Sequence, residues 1–244
     1  MGLPLAGKVI VVVGASTGIG ADAARVFAED GASLMLVARH EEPLATVAKE
    51  LDAAYVTGDV ADAASVRSFV DATVSRFGRL DGAFNNAAMT QGGRLDQVSE
   101  ADFDRIMAVN VKGTWLCLRE EIRVLGHGGS IVNVSSIGGL RGSSGMGAYQ
   151  ATKHAVIGLT RTAAHDFGPS GIRVNVVAPG PTETPMLEET RRAVPGGVEA
   201  RIAATPLRKA GTGAEVGATA AFLLSDRASH LSGVVLPVDG GFLA

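Results

Sequence analysis

Tyr149 and Lys153 are the residues of this sequence whose types and spacing are best suited to chemistry. Four residues apart on an α-helix, two side chains leave the same face and can touch. A free phenol has a pKa near ~10, and a neighbouring ammonium group favours the phenolate and lowers that pKa. Ser136 could hold a carbonyl or alcohol oxygen in line with the phenol. Together the three residues could transfer a proton to or from a substrate oxygen.

The same pair also fits a half-buried tyrosine beneath a solvated lysine, so the elements that position it must decide. An apolar run, Val9–Val13, predicts a strand buried on both faces. A glycine-rich segment, Gly14-Ala-Ser-Thr-Gly18-Ile-Gly20, follows it, then a helical pattern to Asp30 and a second apolar strand, Ser33–Val37. This order is typical of a unit that binds dinucleotides, and the alternative is an ordinary glycine-rich turn.

Each glycine of that turn has a predicted physical role. Gly14 would make the tight turn away from the strand. Gly18 would let backbone N–H groups approach a pyrophosphate at the helix N-terminus, where the helix dipole favours an anion. Gly20 would allow helix and strand to pack closely.

Composition limits the classes of function. A chain of 244 residues suits a single α/β domain spanning 1–244, and 32 glycines suit many tight turns around a buried sheet. A net charge of −3 without a basic run argues against nucleic acid as a partner. We see no secretory signal, membrane segment or His/Cys metal cluster, and the single Cys117 fits a reducing compartment. We therefore expect a soluble cytoplasmic protein without a metal.

Strand and helix patterns alternate along the rest of the chain. Strands are predicted at 54–57, 82–84, 130–134, 173–177 and 234–238, and helices at 63–77, 99–125, 148–167 and 214–224. The polar, aperiodic segment 181–209 is predicted to form a substrate lid. The pattern predicts a single doubly wound parallel sheet of the Rossmann type, with about seven strands and helices on both faces. Ligands of such sheets bind beyond the carboxyl ends of the strands, where Gly14, Asp59, Asn86, Ser136 and Pro179 all fall.

These motifs together resemble the short-chain dehydrogenase/reductase family, in its 3-oxoacyl-reductase-like branch, over essentially the whole chain. The matching elements are Gly14-x-x-x-Gly18-Ile-Gly20, Asp59-Val60, Asn85-Asn86-Ala87, Asn110, Ser136, Tyr149-x-x-x-Lys153, Pro179-Gly180 and Asp239-Gly240-Gly241. The chain departs from the family at Val13, where threonine is usual, and at Ala88, where glycine is usual. Both departures alter packing near the cofactor and neither touches a proton-transfer group.

The resemblance implies an NAD(P)-dependent oxidoreductase that transfers a hydride between the cofactor and a ketone or secondary alcohol. Tyr149 would be the general acid/base, Lys153 would lower its pKa and hold the nicotinamide ribose, and Ser136 would orient the substrate oxygen. Asn110 would hold a water that links Lys153 to solvent. Ser135 is the rival for the serine role, and the family's serine-to-tyrosine spacing favours Ser136.

The resemblance also implies the cofactor-binding residues. They are Gly14, Ser16, Thr17, Gly18, Ile19, Gly20, Arg39, His40, Asp59, Val60, Asn86, Ala87, Ala88, Tyr149, Lys153, Pro179, Gly180, Thr182 and Thr184. An acidic residue at the end of the second strand favours NAD, but Ala38 stands there and Arg39 follows, which favours NADP(H) over NAD(H). Alternatively, Arg39 lies over the adenine ring and suits either cofactor.

The function predicted is an NADP(H)-dependent ketoreductase of primary or secondary metabolism that acts on a small-molecule ketone or alcohol. The alternatives are an NAD-dependent secondary-alcohol dehydrogenase and, from another class, a non-catalytic NAD(P)-binding regulator. Segments 89–95, 137–146 and 181–209 should line the substrate pocket. Relatives of this family are commonly homotetramers, and a homotetramer or dimer is the assembly that the resemblance implies.

Overall fold

The computed structural model describes residues 2–244, and their strands form one parallel sheet. The strands are β1 (Val9–Val13), β2 (Ser33–Ala38), β3 (Ala54–Thr57), β4 (Gly82–Asn85), β5 (Ser130–Val134), β6 (Arg173–Pro179) and β7 (Val235–Val238). Their order across the sheet is β3-β2-β1-β4-β5-β6-β7. The doubly wound parallel sheet of about seven strands predicted from the sequence is confirmed.

Helices connect the strands and cover both faces of the sheet. They are α1 (Gly18–Glu29), α2 (Glu41–Leu51), α3 (Ala63–Phe77), α4 (Glu100–Met107), α5 (Gly113–Val124), α6 (Gly147–Phe167), α7 (Pro185–Ala193), α8 (Gly197–Ala204) and α9 (Gly213–Leu224). Capping side chains determine where some of these helices begin. The Asp62 carboxylate accepts hydrogen bonds from two N–H groups of α3, and Thr212 forms a capping box with Glu215 at the start of α9.

The alternation of side chains along β1 divides the interior into two apolar cores. Ile10 and Val12 face the core under α1, α2 and α9, where the Phe27 and Phe84 rings meet edge to face at 5.5 Å between centroids. Val11 and Val13 face the core under α3, α5 and α6. Because every residue of β1 is buried, its sequence is a continuous apolar run rather than an alternating one.

The strand order reverses between β1 and β4, because β2 follows β1 on one side and β4 pairs with it on the other. A crevice opens at such a reversal beyond the carboxyl ends of the strands. The turn after β1 and the segment after β4 therefore face each other across this crevice, and the turns after β5 and β6 continue the same edge of the sheet.

Three elements differ from the sequence prediction. The single helix predicted over 99–125 is α4 and α5 joined by one π-helical segment, Ala108–Lys112. The segment 181–209, predicted without periodicity, contains α7 and α8. Helix α2 was not predicted, because only Leu44, Val47 and Ala48 of it are buried and they form a narrow apolar stripe.

Within residues 2–244, none of the helices is long and apolar enough to cross a membrane. The same residues contain no group of three or more His, Cys, Asp or Glu side chains arranged to hold a metal ion.

Candidate active site

Helix α6 brings Tyr149 and Lys153 together one turn apart. The Lys153 ammonium lies 5.6 Å from the centroid of the Tyr149 ring. Lys153 is only 3% exposed, and its Nζ donates a hydrogen bond of 3.0 Å to the carbonyl of Val134 at the end of β5. The buried lysine is thus fixed by the sheet, and the phenol stands above it.

Ser135 and Ser136 have different partners. The Ser135 hydroxyl is buried and donates to the backbone carbonyl of Lys153 at 2.8 Å, so it ties α6 to the end of β5. The Ser136 hydroxyl accepts from the Gly138 N–H at 3.0 Å and lies beside the Tyr149 side chain, where it acts to lower the pKa of the phenol. Ser136 is therefore the serine that acts on the phenol.

Burial dominates the electrostatics of the pair. Burial raises the pKa of Tyr149, and the hydrogen bond from Ser136 acts in the opposite direction. Burial lowers the pKa of Lys153 to about 8. The raised pKa of Tyr149 is the opposite of the lowering expected from Lys153, because loss of solvent acts on the phenolate more strongly than its neighbours do. The phenol is protonated at neutral pH, and the lysine titrates close to that range.

Asn110 lies in the π-helical segment between α4 and α5 and is 1% exposed. Its side-chain amide accepts from the N–H of Met89 at 2.9 Å and donates to the carbonyl of Met89 at 2.9 Å. It also donates to the Thr152 hydroxyl at 3.0 Å, and that hydroxyl donates to the Tyr149 carbonyl at 2.6 Å. Asn110 thus connects the loop after β4 with the turn of α6 that carries the tyrosine.

A cavity of about 700 Å³ runs along the carboxyl ends of the strands. Every residue predicted to take part in catalysis or cofactor binding lines it, except Gly20 and Asn110. A cavity of this size accommodates a ligand as large as a dinucleotide or a drug-sized molecule. The residues that lay at separate strand ends in the sequence share one cavity.

The glycines of the turn after β1 allow close packing of backbone beside the cavity. Gly14 has φ +84°, and a Cβ there would lie 2.7 Å from the backbone nitrogen of Ala87. A Cβ on Gly20 would lie 1.9 Å from the carbonyl oxygen of Gly14, so Gly20 serves packing behind the cavity. Thr17, the N-cap residue of α1, makes no side-chain capping bond. The first N–H groups of α1 are thus left for an anionic ligand such as a pyrophosphate.

Arg39 and His40, which follow β2, line the cavity and are exposed. Over the described part of the chain, Arg39 forms no ion pair. After the neighbouring strand β3, the Asp59 carboxylate accepts from the Ala61 N–H at 2.9 Å, and Val60 is buried.

Sequence reasoning missed several residues that line the cavity. They are Val37, Gly58, Val109 and Val134. The strand-end residues among them could have been inferred from their position beside the motifs. Glu189, Thr190, Val198 and Arg201 belong to α7 and α8, which the polar sequence of 181–209 did not predict.

Comparison with known proteins identifies the family. The model of the family described as Enoyl-(Acyl carrier protein) reductase matches residues 14–243. An A-factor type gamma-butyrolactone 1'-reductase (1S-forming) of Streptomyces virginiae is 42% identical over 247 residues, which cover 98% of this chain and 96% of that protein. The chain belongs to the short-chain dehydrogenase/reductase family. Like its relatives, it is an NAD(P)-dependent oxidoreductase that acts on CH–OH groups.

Two further relatives of the short-chain dehydrogenase/reductase family cover nearly the whole chain. Levodione reductase of Leifsonia aquatica is 37% identical over 249 residues, covering 96% of this chain and 93% of that protein. The crystal structure of a short chain dehydrogenase from Burkholderia cenocepacia J2315 in complex with NADP has a TM-score of 0.92 and 34% identity, covering 99% of this chain and 100% of that one. These matches extend the family assignment to the full sheet.

Proposed function

We propose that this protein is an NADP(H)-dependent ketoreductase in which Tyr149 is the general acid/base. The observation that carries the proposal is the convergence of three side chains at one end of the cavity. Ser136, Tyr149 and Lys153 all line the cavity, and the Lys153 ammonium lies 5.6 Å from the centroid of the Tyr149 ring. A phenol that is protonated at neutral pH is suited to donate a proton to a carbonyl oxygen.

In the proposed reaction, Ser136 and Tyr149 hold the substrate oxygen between their hydroxyl groups. Tyr149 gives its proton to that oxygen during reduction and takes it back during oxidation. Lys153, buried and anchored to Val134, presents a positive charge that favours the phenolate once the proton has left. Bound NADPH supplies the hydride for reduction, and NADP accepts it for oxidation.

The pyrophosphate of the cofactor is proposed to bind at the N-terminus of α1, against Gly14, Ser16, Thr17, Gly18 and Ile19. Asp59 and Val60 would contact the adenine. The nicotinamide end of the cofactor would be enclosed by residues that follow β4 and β6, namely Asn86, Ala87, Ala88, Pro179, Gly180, Thr182 and Thr184. Lys153 would hold the nicotinamide ribose. Asn110 would hold a water on the proton route from Lys153 to solvent.

Tyr149→Phe tests the catalytic assignment. We expect kcat to fall by about 10²–10⁴-fold, the range over which general acid–base groups contribute, while NADPH binding stays near its original strength. Tyr55→Phe is the matched control, because Tyr55 is the other of the two tyrosines and lies 41% exposed on β3, away from the cavity. Near-normal kcat in Tyr149→Phe would refute the assignment. Absence of turnover with every ketone, alongside tight NADPH binding, would favour the non-catalytic regulator.

The preference for NADP(H) rests on Arg39 at the adenosine end of the cavity. A guanidinium group matches a 2′-phosphate with paired, charge-assisted hydrogen bonds. We expect NADP to bind at least about tenfold more tightly than NAD, and Arg39→Asp to reverse the order. Arg161→Asp on the exposed surface of α6 makes the same charge change elsewhere and should leave the ratio unchanged. Equal dissociation constants for NADP and NAD in the wild-type protein would contradict the preference and would favour the NAD-dependent alternative.

The substrate proposed is a ring ketone of medium size. Apolar side chains line the outer part of the cavity, namely Met89, Ile137, Met146, Met186, Leu187 and Val198. The name of one relative, a gamma-butyrolactone 1'-reductase, supports a carbonyl group beside a small ring. NADPH consumption with matched cyclic and open-chain ketones tests this class, and equal kcat/KM for both sets would argue against it.

The segment 181–209 is proposed to act as the lid over this pocket. Only Val198 of α7 and α8 is buried, so few contacts hold these helices to the sheet.

We further propose that residues 1–244 act as one catalytic unit in the cytoplasm and assemble as a homotetramer, or a dimer, through exposed apolar residues such as Trp115 and Phe103. Light scattering of the purified protein measures the assembly directly.

A further inference from the structure

Glu121 is a buried carboxyl group that the proposed reaction does not use. It lies on α5, is 0% exposed, and packs against the end of β4. Its Oε2 accepts a hydrogen bond of 2.9 Å from Nδ2 of Asn85. The arginines of α5 do not neutralise it, because Arg119 and Arg123 both pair with the neighbouring Glu120.

Two polar atoms at this contact have no partner. In residues 2–244, Oδ1 of Asn85 and Oε1 of Glu121 are the buried side-chain nitrogen or oxygen atoms that make no hydrogen bond. The Asn85 amide cannot serve them, because Nδ2 already donates to Glu121 Oε2 and, at 3.0 Å, to Oδ1 of Asn133. Both unpaired atoms are acceptors when Glu121 is ionised, so neither can satisfy the other.

We propose that Glu121 is a neutral carboxylic acid in the folded protein and that its Oε1–H donates to Oδ1 of Asn85. A carboxylic acid and a primary amide each carry a donor and an acceptor side by side, so they form two parallel hydrogen bonds. Because Nδ2 of Asn85 already donates to Oε2, this pairing requires the Oε1–H group to lie against Oδ1 of the same amide. One proton therefore satisfies both unpaired atoms.

The surroundings of the pair favour the neutral acid. Burial raises the pKa of Glu121 to about 7, and the hydrogen bond from Asn85 acts in the opposite direction. Cys117, one turn earlier on α5, is the titratable group that faces it, and burial together with Glu121 raises the pKa of that thiol. From β5 and α6 the network is completed by Asn133 and Thr160, which carry no charge.

The pair positions a wall of the cofactor cavity. Asn85 is followed by Asn86, whose side-chain amide donates to the carbonyl of Gly14 at 3.0 Å. Ala87 and Ala88 come next and line the cavity. Glu121 is thus a positioning residue for the loop after β4, and it loses its hold on that loop as pH rises through its pKa. This inference goes beyond the proposed function, since it concerns a residue outside the cavity.

Glu121→Gln tests the proton directly, because the glutamine amide can donate to Asn85 Oδ1 and accept from Asn85 Nδ2 at any pH. A folded-state pKa raised from 4.5 to about 7 means that the wild-type folding equilibrium weakens as pH rises between these values. The expected change is about tenfold per pH unit. Glu121→Gln should lack this slope, and be more stable than the wild type in urea at pH 8 but not at pH 4.5.

Glu120→Gln is the matched control at the next position. Burial acts to raise the pKa of Glu120, but the hydrogen bonds from Arg123 and Arg119 outweigh it and the pKa is lowered. The same substitution there removes an ion-paired carboxylate, so it should destabilise the protein at pH 8. The two variants are therefore expected to change stability in opposite directions.

Infrared spectroscopy reads the proton without reference to stability. The wild type and Glu120→Gln should show the carbonyl stretch of a protonated carboxylic acid at pH 6, and Glu121→Gln should lack it. If a variant fails to fold, measurements on the wild type are sufficient, because loss of its carbonyl band between pH 6 and 9 supports the proposal. A wild type without the band at pH 6, or a Glu121→Gln that is destabilised at pH 8 as Glu120→Gln is, would overturn it.

NADPH binding tests the positioning role separately. From pH 6 to 8.5, the ratio of wild-type to Glu121→Gln dissociation constants should rise, because only the wild type loses the acid–amide pair. A constant ratio would overturn the positioning role. Absence of NADPH binding in both proteins at every pH would instead contradict the proposed function, while the infrared and urea measurements would still decide the state of Glu121.

Discussion

The two sides of the cavity are built in opposite ways. The side formed by β4, β5 and α6 is buried, and its polar groups are linked by hydrogen bonds to backbone, as between Lys153 and Val134. The side formed by α7 and α8 is exposed and is held together by ion pairs between Arg191 and Glu183, Glu188 and Glu199. A proton-transfer group needs a fixed position, whereas a surface that admits the substrate must open. The contrast supports the proposal that the chemistry takes place on the buried side and that the exposed side selects the substrate.

The largest effect is expected from substitution of Lys153, because this buried lysine lowers the stability of the fold while it supports the proposed reaction. Because burial lowers the pKa of Lys153 from 10.5 to about 8, the charged lysine is disfavoured in the fold at neutral pH. Wild-type stability should therefore rise with pH between about 8 and 10.5. Lys153→Met should abolish that slope and stabilise the protein at pH 7 by up to about 3 kcal/mol. Turnover should fall about 10²-fold or more, as the phenolate loses its cation.

Urea unfolding at pH 7 and 9.5 and steady-state kinetics measure both parts of this prediction. Lys112→Met, on the exposed surface of the π-helical segment, is the control and should change neither. A Lys153→Met protein that is both less stable and inactive would show that the lysine is a structural residue of the buried side.

An intermediate effect is expected at Thr152, which connects Asn110 to the turn of Tyr149. Thr152→Val keeps the shape and removes the hydroxyl that accepts from Asn110 and donates to the Tyr149 carbonyl. We expect a loss of about 1–2 kcal/mol of stability and a roughly tenfold lower kcat, with NADPH binding unchanged. Thr152→Ser restores the hydroxyl and should restore kcat. If valine and serine behave alike, the hydroxyl does not position the tyrosine.

The smallest effect on stability is expected on the exposed side, at Arg191. Arg191→Ala removes the ion pairs to all three glutamates, and exposed pairs contribute little to folding, so Tm should hardly change. Substrate KM should rise, because α7 and α8 lose their common anchor, while the dissociation constant of NADPH stays constant. Arg191→Lys keeps the charge but not the forked geometry of the guanidinium group, so its substrate KM should lie between those of the wild type and Arg191→Ala. A large fall in Tm would mean that the lid is part of the folded core.

Much of the buried side could be predicted from sequence. A strand buried on both faces must be a continuous apolar run, as Val9–Val13 is, and the motif at its end is therefore easy to locate. The exposed side could not be predicted, because α7 buries none of its residues and α8 only Val198, so neither has an apolar stripe. The π-helical turn at Asn110 was also hidden, since nothing in the local pattern from Ser99 to Leu125 distinguishes it from an α-helix.

The sequence by itself determined the positions of the seven strands and the residues that stand at the strand ends. Those are local properties, set by hydrophobic period and by glycines such as Gly14, whose φ of +84° few other residues tolerate. Only the tertiary structure decided which polar groups meet. The contacts of Asn110 with Met89 and Thr152, and of Glu121 with Asn85, join residues on different elements. Burial then shifts the pKa of Glu121 upward, because the cost of a charge depends on what surrounds it in the folded protein.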